Sequence, residues 1–124
     1  MQTYLAVAVA GVLGCWLRLS MGNWIPSFAG RDFPWATLTI NILGSFLMGF
    51  LFVATAERLA ISQPLRVGIL TGFLGGFTTF SAFSMEMLLL VQGGEAAKGA
   101  IYAVASVAFG FAACFIGALL ARAL

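Results

Sequence analysis

The sequence of 124 residues contains very little charge: six Lys or Arg, four Asp or Glu, and no His. Charged residues make up 8% of the chain, whereas a soluble domain carries about 25%. Since 62% of the residues are hydrophobic, a soluble enzyme and a disordered segment are excluded. The net charge of +2 is too small and too scattered for a basic patch that binds nucleic-acid phosphates. This composition indicates an integral membrane protein.

The lack of His also removes the usual general base and the commonest metal ligand. An enzyme is therefore not expected, because no nucleophile–base pair can be assembled. The two cysteines, Cys15 and Cys114, lie far apart in apolar segments, which favours buried thiols over a disulfide or metal site. Residues 1–4 contain no basic side chain, so the first apolar stretch is interpreted as a retained span and not as a cleaved signal peptide.

Four long apolar segments are separated by short stretches that hold most of the charges and turn-forming residues. A membrane-spanning helix needs roughly 20 mainly apolar residues, and these segments lack the alternation of β-barrel strands. The sequence therefore predicts an all-α membrane protein with one domain over residues 1–124 and four transmembrane helices. The first connection, residues 22–34, is predicted as a loop because it contains Pro26, Gly30 and Pro34. The predicted spans cover residues 4–21, 35–56, 67–91 and 99–121.

Lys and Arg are balanced between the two membrane sides. Arg58, Arg66 and Arg122 lie on the side of the termini, and Arg31, Lys98 and a snorkelling Arg18 lie on the other. Since Lys and Arg near the spans set orientation, this equal division predicts insertion in both orientations. Two oppositely oriented copies can then pair around an axis in the membrane plane, as inverted repeats do within longer transporters. An Arg18 that stays inside the span would leave the division uneven.

Polar side chains in the first two spans follow helical spacing. Gly11, Gly14 and Arg18 share one face of the first span, which directs Arg18 toward protein or water, or lets it snorkel to the interface. In the second span, Asn41 lies between two hydroxyl residues at i+4 spacing, Thr37 and Ser45. Hydrogen bonds between helices are one interpretation of this stripe. Three polar residues at successive i+4 positions favour a second interpretation, a permeation face on which the amide of Asn41 donates to an anion.

A stripe of small residues on the fourth span is explained by helix packing. Tyr102 and Ser106 are its only candidates for function.

The third span contains three glycines, five hydroxyl residues and four phenylalanines within residues 71–84. Adjacent glycines followed by two β-branched threonines make a poor helix interior, so a break is predicted within residues 75–79. Unpaired backbone at membrane depth is tolerated only where it is buried in protein or lines a cavity. Carbonyls freed by such a break can ligate a cation.

Phe80 and Phe83 follow the predicted break and project from nearly one face of the next half-helix, with Ser81 alongside. An aromatic ring has a positive edge, so ring edges and hydroxyl donors can hold a small dehydrated anion. Core packing is the other interpretation of this pair. The density of glycine and hydroxyl residues around it favours the anion site.

Three stretches together resemble the Fluc/CrcB family of bacterial fluoride channels: residues 11–18 (GVLGCWLR), 37–46 (TLTINILGSF) and 72–83 (GFLGGFTTFSAF). The resemblance covers the first three spans in order and spacing, and the third motif is the most specific. It implies an antiparallel, dual-topology homodimer with two pores. It further implies passive export of fluoride, selected over chloride, across the bacterial inner membrane. The partners expected from it are the fluoride ion, a second copy of the chain and the lipid bilayer.

The resemblance also assigns residues by position. It implies that Phe80 and Phe83 line the pore, with Asn41 as a polar donor near them and Arg18 in a vestibule that gathers anions. Backbone carbonyls, placed at Gly75 and Thr78, are implied to hold a structural sodium ion at the dimer centre. The candidate hydroxyls of the fluoride path are Thr37, Thr39, Thr79, Ser81 and Ser106, with Tyr102 added from the polar stripe of the fourth span.

Two other function classes are compatible with a small four-helix membrane protein. A dual-topology drug/proton antiporter needs a carboxylate embedded in the first span, but this span contains none, and Glu86 lies near one end of the third. A structural subunit of a larger assembly explains the packing faces but not the broken, phenylalanine-rich span. A passive pore fits the energetics, since a negative-inside membrane favours anion exit by about 2.3 kcal/mol per 100 mV.

Overall fold

The computed structural model describes residues 1–124 and consists of helices and short connections. Helix α1 covers Gln2–Ala29, and α2 covers Trp35–Val53 and continues as a π-helical turn over Ala54–Arg58. The third crossing contains α3 (Gln63–Val67), a π-helical stretch (Gly68–Phe73), α4 (Leu74–Phe77) and α5 (Phe80–Gln92). Helix α6 covers Ala96–Ala123.

Four stretches are long and apolar enough to cross a membrane: Gln2–Ala29, Trp35–Arg58, Gln63–Gln92 and Ala96–Ala123. The prediction of an all-helical chain with four membrane-capable helices is therefore confirmed. The protein is a multi-pass integral membrane protein.

Helix α1 is longer than the sequence predicts. The predicted loop over residues 22–34 is wrong in its first half, because the helix continues to Ala29 with Pro26 inside it. A proline removes one backbone donor from the helix, here the one that would bond the Gly22 carbonyl, but the helix continues for three residues after Pro26. The helix ends at Gly30, whose φ of +84° is a left-handed conformation that glycine adopts without strain. The Gly30 N–H donates to the carbonyl of Pro26 over 3.1 Å.

The third crossing is interrupted at Thr78 and Thr79, which are extended, with ψ of 157° and 116°. The break lies within the predicted interval of residues 75–79, but Gly75 and Gly76 remain helical. Extended conformations suit β-branched side chains. The threonines therefore form the break, and the glycines before it do not.

Two pairs of helices approach each other through glycines. On the contact of α2 with α6, a Cβ added to Gly49 or Gly117 would overlap a backbone carbonyl of the facing helix. On the contact of α1 with the third crossing, Gly14 and Gly76 face backbone atoms equally closely. Small residues let membrane helices approach in this way. We call these two contacts the glycine seams.

Outside the seams, the chain leaves most of its surface uncovered. Only 20 of the 124 residues are buried, although most residues are apolar. Helix α5 contains no buried residue. Lipid or another protein chain must cover these apolar side chains, since water disfavours their exposure.

Candidate functional site

Asn41, a residue of α2, forms hydrogen bonds with the backbone at the break. The Asn41 Nδ2 donates to the carbonyl of Thr79 over 3.0 Å, and the Thr79 N–H donates to Asn41 Oδ1 over 2.8 Å. The side-chain amide thereby replaces two backbone partners that a continuous helix would provide. One N–H of Asn41 remains after this pairing. The sequence predicted Asn41 as a donor to an anion, and its clamp on the backbone is a further role that the spacing did not reveal.

The two carbonyls predicted to hold sodium lose their helical partners at the break. In a continuous helix, the Gly75 carbonyl would accept from the N–H of Thr79, and the Thr78 carbonyl would accept from Ala82. The Thr79 N–H donates instead to Asn41 Oδ1, and the Ala82 N–H donates to Thr79 Oγ1 over 3.1 Å. Carbonyl oxygens without a donor are ligands suited to a hard cation, so these residues fit a sodium ion.

A row of aromatic rings runs from the break toward α6. The ring centroids of Phe80 and Phe83 lie 5.5 Å apart, and Phe83 meets Tyr102 at 5.0 Å with an interplanar angle of 63°. Phe33, in the loop before α2, meets the other side of Tyr102 at 5.6 Å. Tyr102 is fully buried, whereas Phe80 is 78% exposed. The row therefore begins at a ring that the chain itself leaves uncovered.

Glu86 is a site residue that the sequence analysis did not single out. Its Oε1 accepts from Thr37 Oγ1 over 2.5 Å, and its Oε2 accepts from the Tyr102 hydroxyl over 2.8 Å. Both hydroxyl hydrogens are thus directed at a carboxylate, which is a strong acceptor. The signal that could have identified Glu86 is its spacing, three residues after Phe83 on α5, which puts the two side chains on neighbouring parts of one face.

The remaining predicted hydroxyls are unequally placed. Thr79 Oγ1 and Ser81 Oγ lie 3.3 Å apart at the start of α5. Ser106 Oγ is buried and has no hydrogen-bond partner within the chain. Thr39 is exposed on α2 and lines neither of the cavities described below. The structure therefore brings Thr79 and Ser81 together but leaves Thr39 and Ser106 apart from them.

Two cavities meet at the break. The larger, which we call the vestibule cavity, has a volume of about 960 Å³ and is lined by Arg18, Thr37 and Glu86 among others. The smaller, which we call the break groove, has a volume of about 300 Å³ and is lined by residues that include Asn41 and Phe80. Thr79 lines both. The two cavities therefore share a lining residue that belongs to the break.

The vestibule cavity contains charges of both signs. Its basic residues are Arg18, Arg31 and Lys98, and its acidic residues are Asp32, Glu86 and Glu95. Lys98 pairs with Glu95 over 2.8 Å, whereas Arg18 has no carboxylate partner. The side chain of Arg18 makes one hydrogen bond, a long one of 3.9 Å to Cys15 Sγ. Arg18 thus supplies a cation that the chain does not neutralise.

Comparison with known proteins identifies the family of this chain. The family model described as CrcB-like protein, Camphor Resistance (CrcB), matches residues 5–118. A fluoride-specific ion channel FluC of Acidithiobacillus ferrooxidans is 50% identical over 116 residues, covering 94% of this chain and 93% of the relative. Proteins of the same name are 47% identical in Rhizobium leguminosarum, over 97% and 96% of the two chains, and 43% identical in Geobacter sulfurreducens, over 100% of both. With this coverage and identity, the chain belongs to the CrcB-like protein family.

Proposed function

We propose that this protein is a passive, fluoride-selective ion channel that exports fluoride across the bacterial inner membrane. The relatives with 42–50% identity over nearly the whole chain are named fluoride-specific ion channels, which supports this function. The observation that carries it is the break at Thr78 and Thr79. There, Asn41 holds an interrupted backbone beside the aromatic edges and hydroxyls of α5.

The fluoride path begins in the vestibule cavity, where the unpaired guanidinium of Arg18 attracts anions. It passes Thr79, which lines both cavities, and enters the break groove beside Asn41 and Phe80. Here the free N–H of Asn41 and the ring edge of Phe80 replace part of the hydration shell. Ser81 and Phe83 do not line the groove, but they lie next to it, against Thr79 and Phe80. Chloride is excluded because it is larger than the donor-lined constriction allows. Selectivity depends on size because net charge does not distinguish two halides.

The other predicted path residues have supporting roles in this proposal. Thr37 and Tyr102 orient Glu86 at the vestibule end of the path. The buried, unpartnered hydroxyl of Ser106 and the exposed hydroxyl of Thr39 act only where a second chain brings them next to the path.

The functional unit in this proposal is an antiparallel, dual-topology homodimer with two pores. Phe80 is 78% exposed and α5 has no buried residue, so one chain alone cannot enclose an anion beside these rings. A second copy of opposite orientation supplies the missing wall. The equal division of Lys and Arg between the two sides supports insertion in both orientations.

A structural sodium ion belongs to the same proposal. The Gly75 and Thr78 carbonyls, freed by Asn41 and Thr79, would hold it at the dimer centre. When bound, such a cation would supply a fixed positive charge beside the residues that hold it. The chain's own contribution is to keep these carbonyls out of helical hydrogen bonds.

The antiporter alternative finds no support. Helix α1 contains no carboxylate, and the Glu86 carboxylate accepts two hydroxyl hydrogen bonds. Proton exchange would require a carboxylate that is free to bind a cationic drug.

The proposal is tested with purified protein in liposomes loaded with potassium fluoride, and in matched liposomes loaded with potassium chloride. After a potassium ionophore is added, an electrode records release of the anion. Rapid fluoride release without chloride release is the expected result. No fluoride release from vesicles that contain folded dimer would reject the channel function, and equal release of both halides would reject its selectivity.

A further inference from the structure

Arg66 lies at the opposite end of the bundle from the vestibule cavity, at the start of the third crossing. Its Nε donates to Thr55 Oγ1 over 3.1 Å, and its guanidinium carbon lies 4.9 Å from the centroid of the Phe52 ring. Thr55 is 7% exposed, whereas Phe52 is 53% exposed. The guanidinium is thus held at one edge by a buried hydroxyl and lies over a ring that faces outward.

No group of the chain neutralises Arg66. The two ion pairs of the chain join Lys98 with Glu95 and Arg122 with Glu57, and the terminal Nη atoms of Arg66 donate to no protein atom. Two further arginines, Arg58 and Arg122, lie on the same side of the protein; Arg58 Nη2 donates to the Arg122 carbonyl. Since a guanidinium stays charged at any physiological pH, this end of the protein offers an unpaired cation to an external anion.

The depth of Arg66 indicates which anion. Phe52 lies six residues before Arg58, the end of the second membrane-capable stretch, and the last five of these residues form a π-helical turn, so its ring lies within the last turns of that stretch. The guanidinium above this ring therefore lies where acyl chains meet headgroups. A phosphate at this depth can pair with the two Nη atoms in a bidentate arrangement. An acyl chain can cover the exposed side of Phe52.

We propose that Arg66, Thr55 and Phe52 form a binding site for the phosphate of an anionic membrane phospholipid. Thr55 and Phe52 hold the guanidinium in place, and Arg66 binds the phosphate. The site is separate from the fluoride path and does not depend on fluoride conduction. In an antiparallel dimer, each membrane leaflet would contain one such site.

The test measures lipids retained by the purified protein in native mass spectrometry after incubation with phosphatidylglycerol or phosphatidylcholine. Arg66→Lys keeps the positive charge, and therefore the equal number of Lys and Arg on the two membrane sides that sets orientation. It loses the planar guanidinium, which can bind a phosphate through two N–H groups. Phe52→Leu keeps an apolar side chain and removes the ring. Arg31→Lys is the matched control, because Arg31 is an exposed arginine without a carboxylate partner on the opposite side. Fluoride efflux of each variant is recorded in parallel.

We expect the protein to retain phosphatidylglycerol in preference to phosphatidylcholine. Arg66→Lys and Phe52→Leu should each lower this retention by about two- to fivefold, the range of an exposed cation–π contact, while Arg31→Lys leaves it unchanged. Unchanged retention in both site variants, an equal loss in the control, or equal retention of the two lipids would overturn the proposal. Retention of inorganic phosphate in place of lipid would overturn it as well. If fluoride efflux were absent while the protein still retained phosphatidylglycerol in preference to phosphatidylcholine, the result would contradict the proposed function and not the lipid site.

Discussion

The glycine seams and the break in the third crossing lie in the same bundle, but their backbone groups have different partners. In the seams, helices are continuous and approach until a Cβ on Gly49 or Gly117 would overlap a carbonyl. At the break, two backbone carbonyls lose their helical donors to side chains. The seams are complete within one chain. The break is polar, partly exposed and incomplete, which is the combination expected of a site for an ion and a second chain.

This comparison separates folding from conduction. Substitutions in the seams should change stability more than the efflux of each folded channel. Substitutions at the break should change efflux more than stability.

The largest expected effect is that of Asn41→Asp. The carboxylate places negative charge in the anion path and cannot donate to the Thr79 carbonyl, so fluoride efflux should fall about 100-fold or more. Efflux from liposomes with matched amounts of protein measures this change. Gln92→Glu is the control, since it makes the same amide-to-carboxylate change at the exposed end of α5 and should retain most of the efflux. Undiminished efflux in Asn41→Asp would place the anion path elsewhere.

Gly49→Ala is the corresponding change in a seam. The added methyl would overlap the carbonyl of Cys114 on α6, and overpacking of this kind costs about 1–3 kcal/mol. Thermal unfolding in detergent should therefore show a lower transition temperature, with efflux per folded protein largely retained. Gly22→Ala offers the comparison, because nothing lies within 4 Å of a Cβ at that position. Equal melting temperatures for the two variants would refute the tight contact between α2 and α6.

Tyr102→Phe is expected to have the smallest effect. It keeps the ring that packs against Phe83 and removes only the hydrogen bond to Glu86. Loss of one such bond is worth about 1 kcal/mol, so unfolding should shift slightly and efflux should change by less than about tenfold. A loss of efflux as large as that of Asn41→Asp would show that the Tyr102 hydroxyl contacts the anion directly.

The sequence predicted the four membrane-capable helices because long apolar segments report directly on the lipid environment. It also predicted the position of the break from the glycines and the threonines together, but only the threonines form it: the glycines are helical and the threonines are extended. It did not predict the helical course of residues 22–29, because proline usually ends a helix, whereas here the helix continues for three residues after Pro26. Single-helix patterns cannot show which residues of different helices meet.

That limit explains the missed site contacts. Asn41 and Thr79 lie 38 positions apart, and Thr37 and Glu86 lie 49 apart. Helical spacing correctly put Phe80 and Phe83 on one face of α5, but only the packing of α5 against α2 and α6 brings the Glu86 carboxylate to the hydroxyls of Thr37 and Tyr102. A contact between distant helices is a tertiary property, and no local pattern encodes it.

The most direct test of the account is the fluoride efflux of Phe80→Ile, divided by the amount of folded protein in the vesicles. Phe111→Ile is the matched control, because Phe111 is 73% exposed on α6, close to the 78% of Phe80. The account predicts a fall of about tenfold or more for Phe80→Ile, with unchanged yield of folded protein and melting temperature, because the aromatic edge is lost from the anion path. Unchanged efflux in well-folded Phe80→Ile protein would contradict the claim that the break holds the anion.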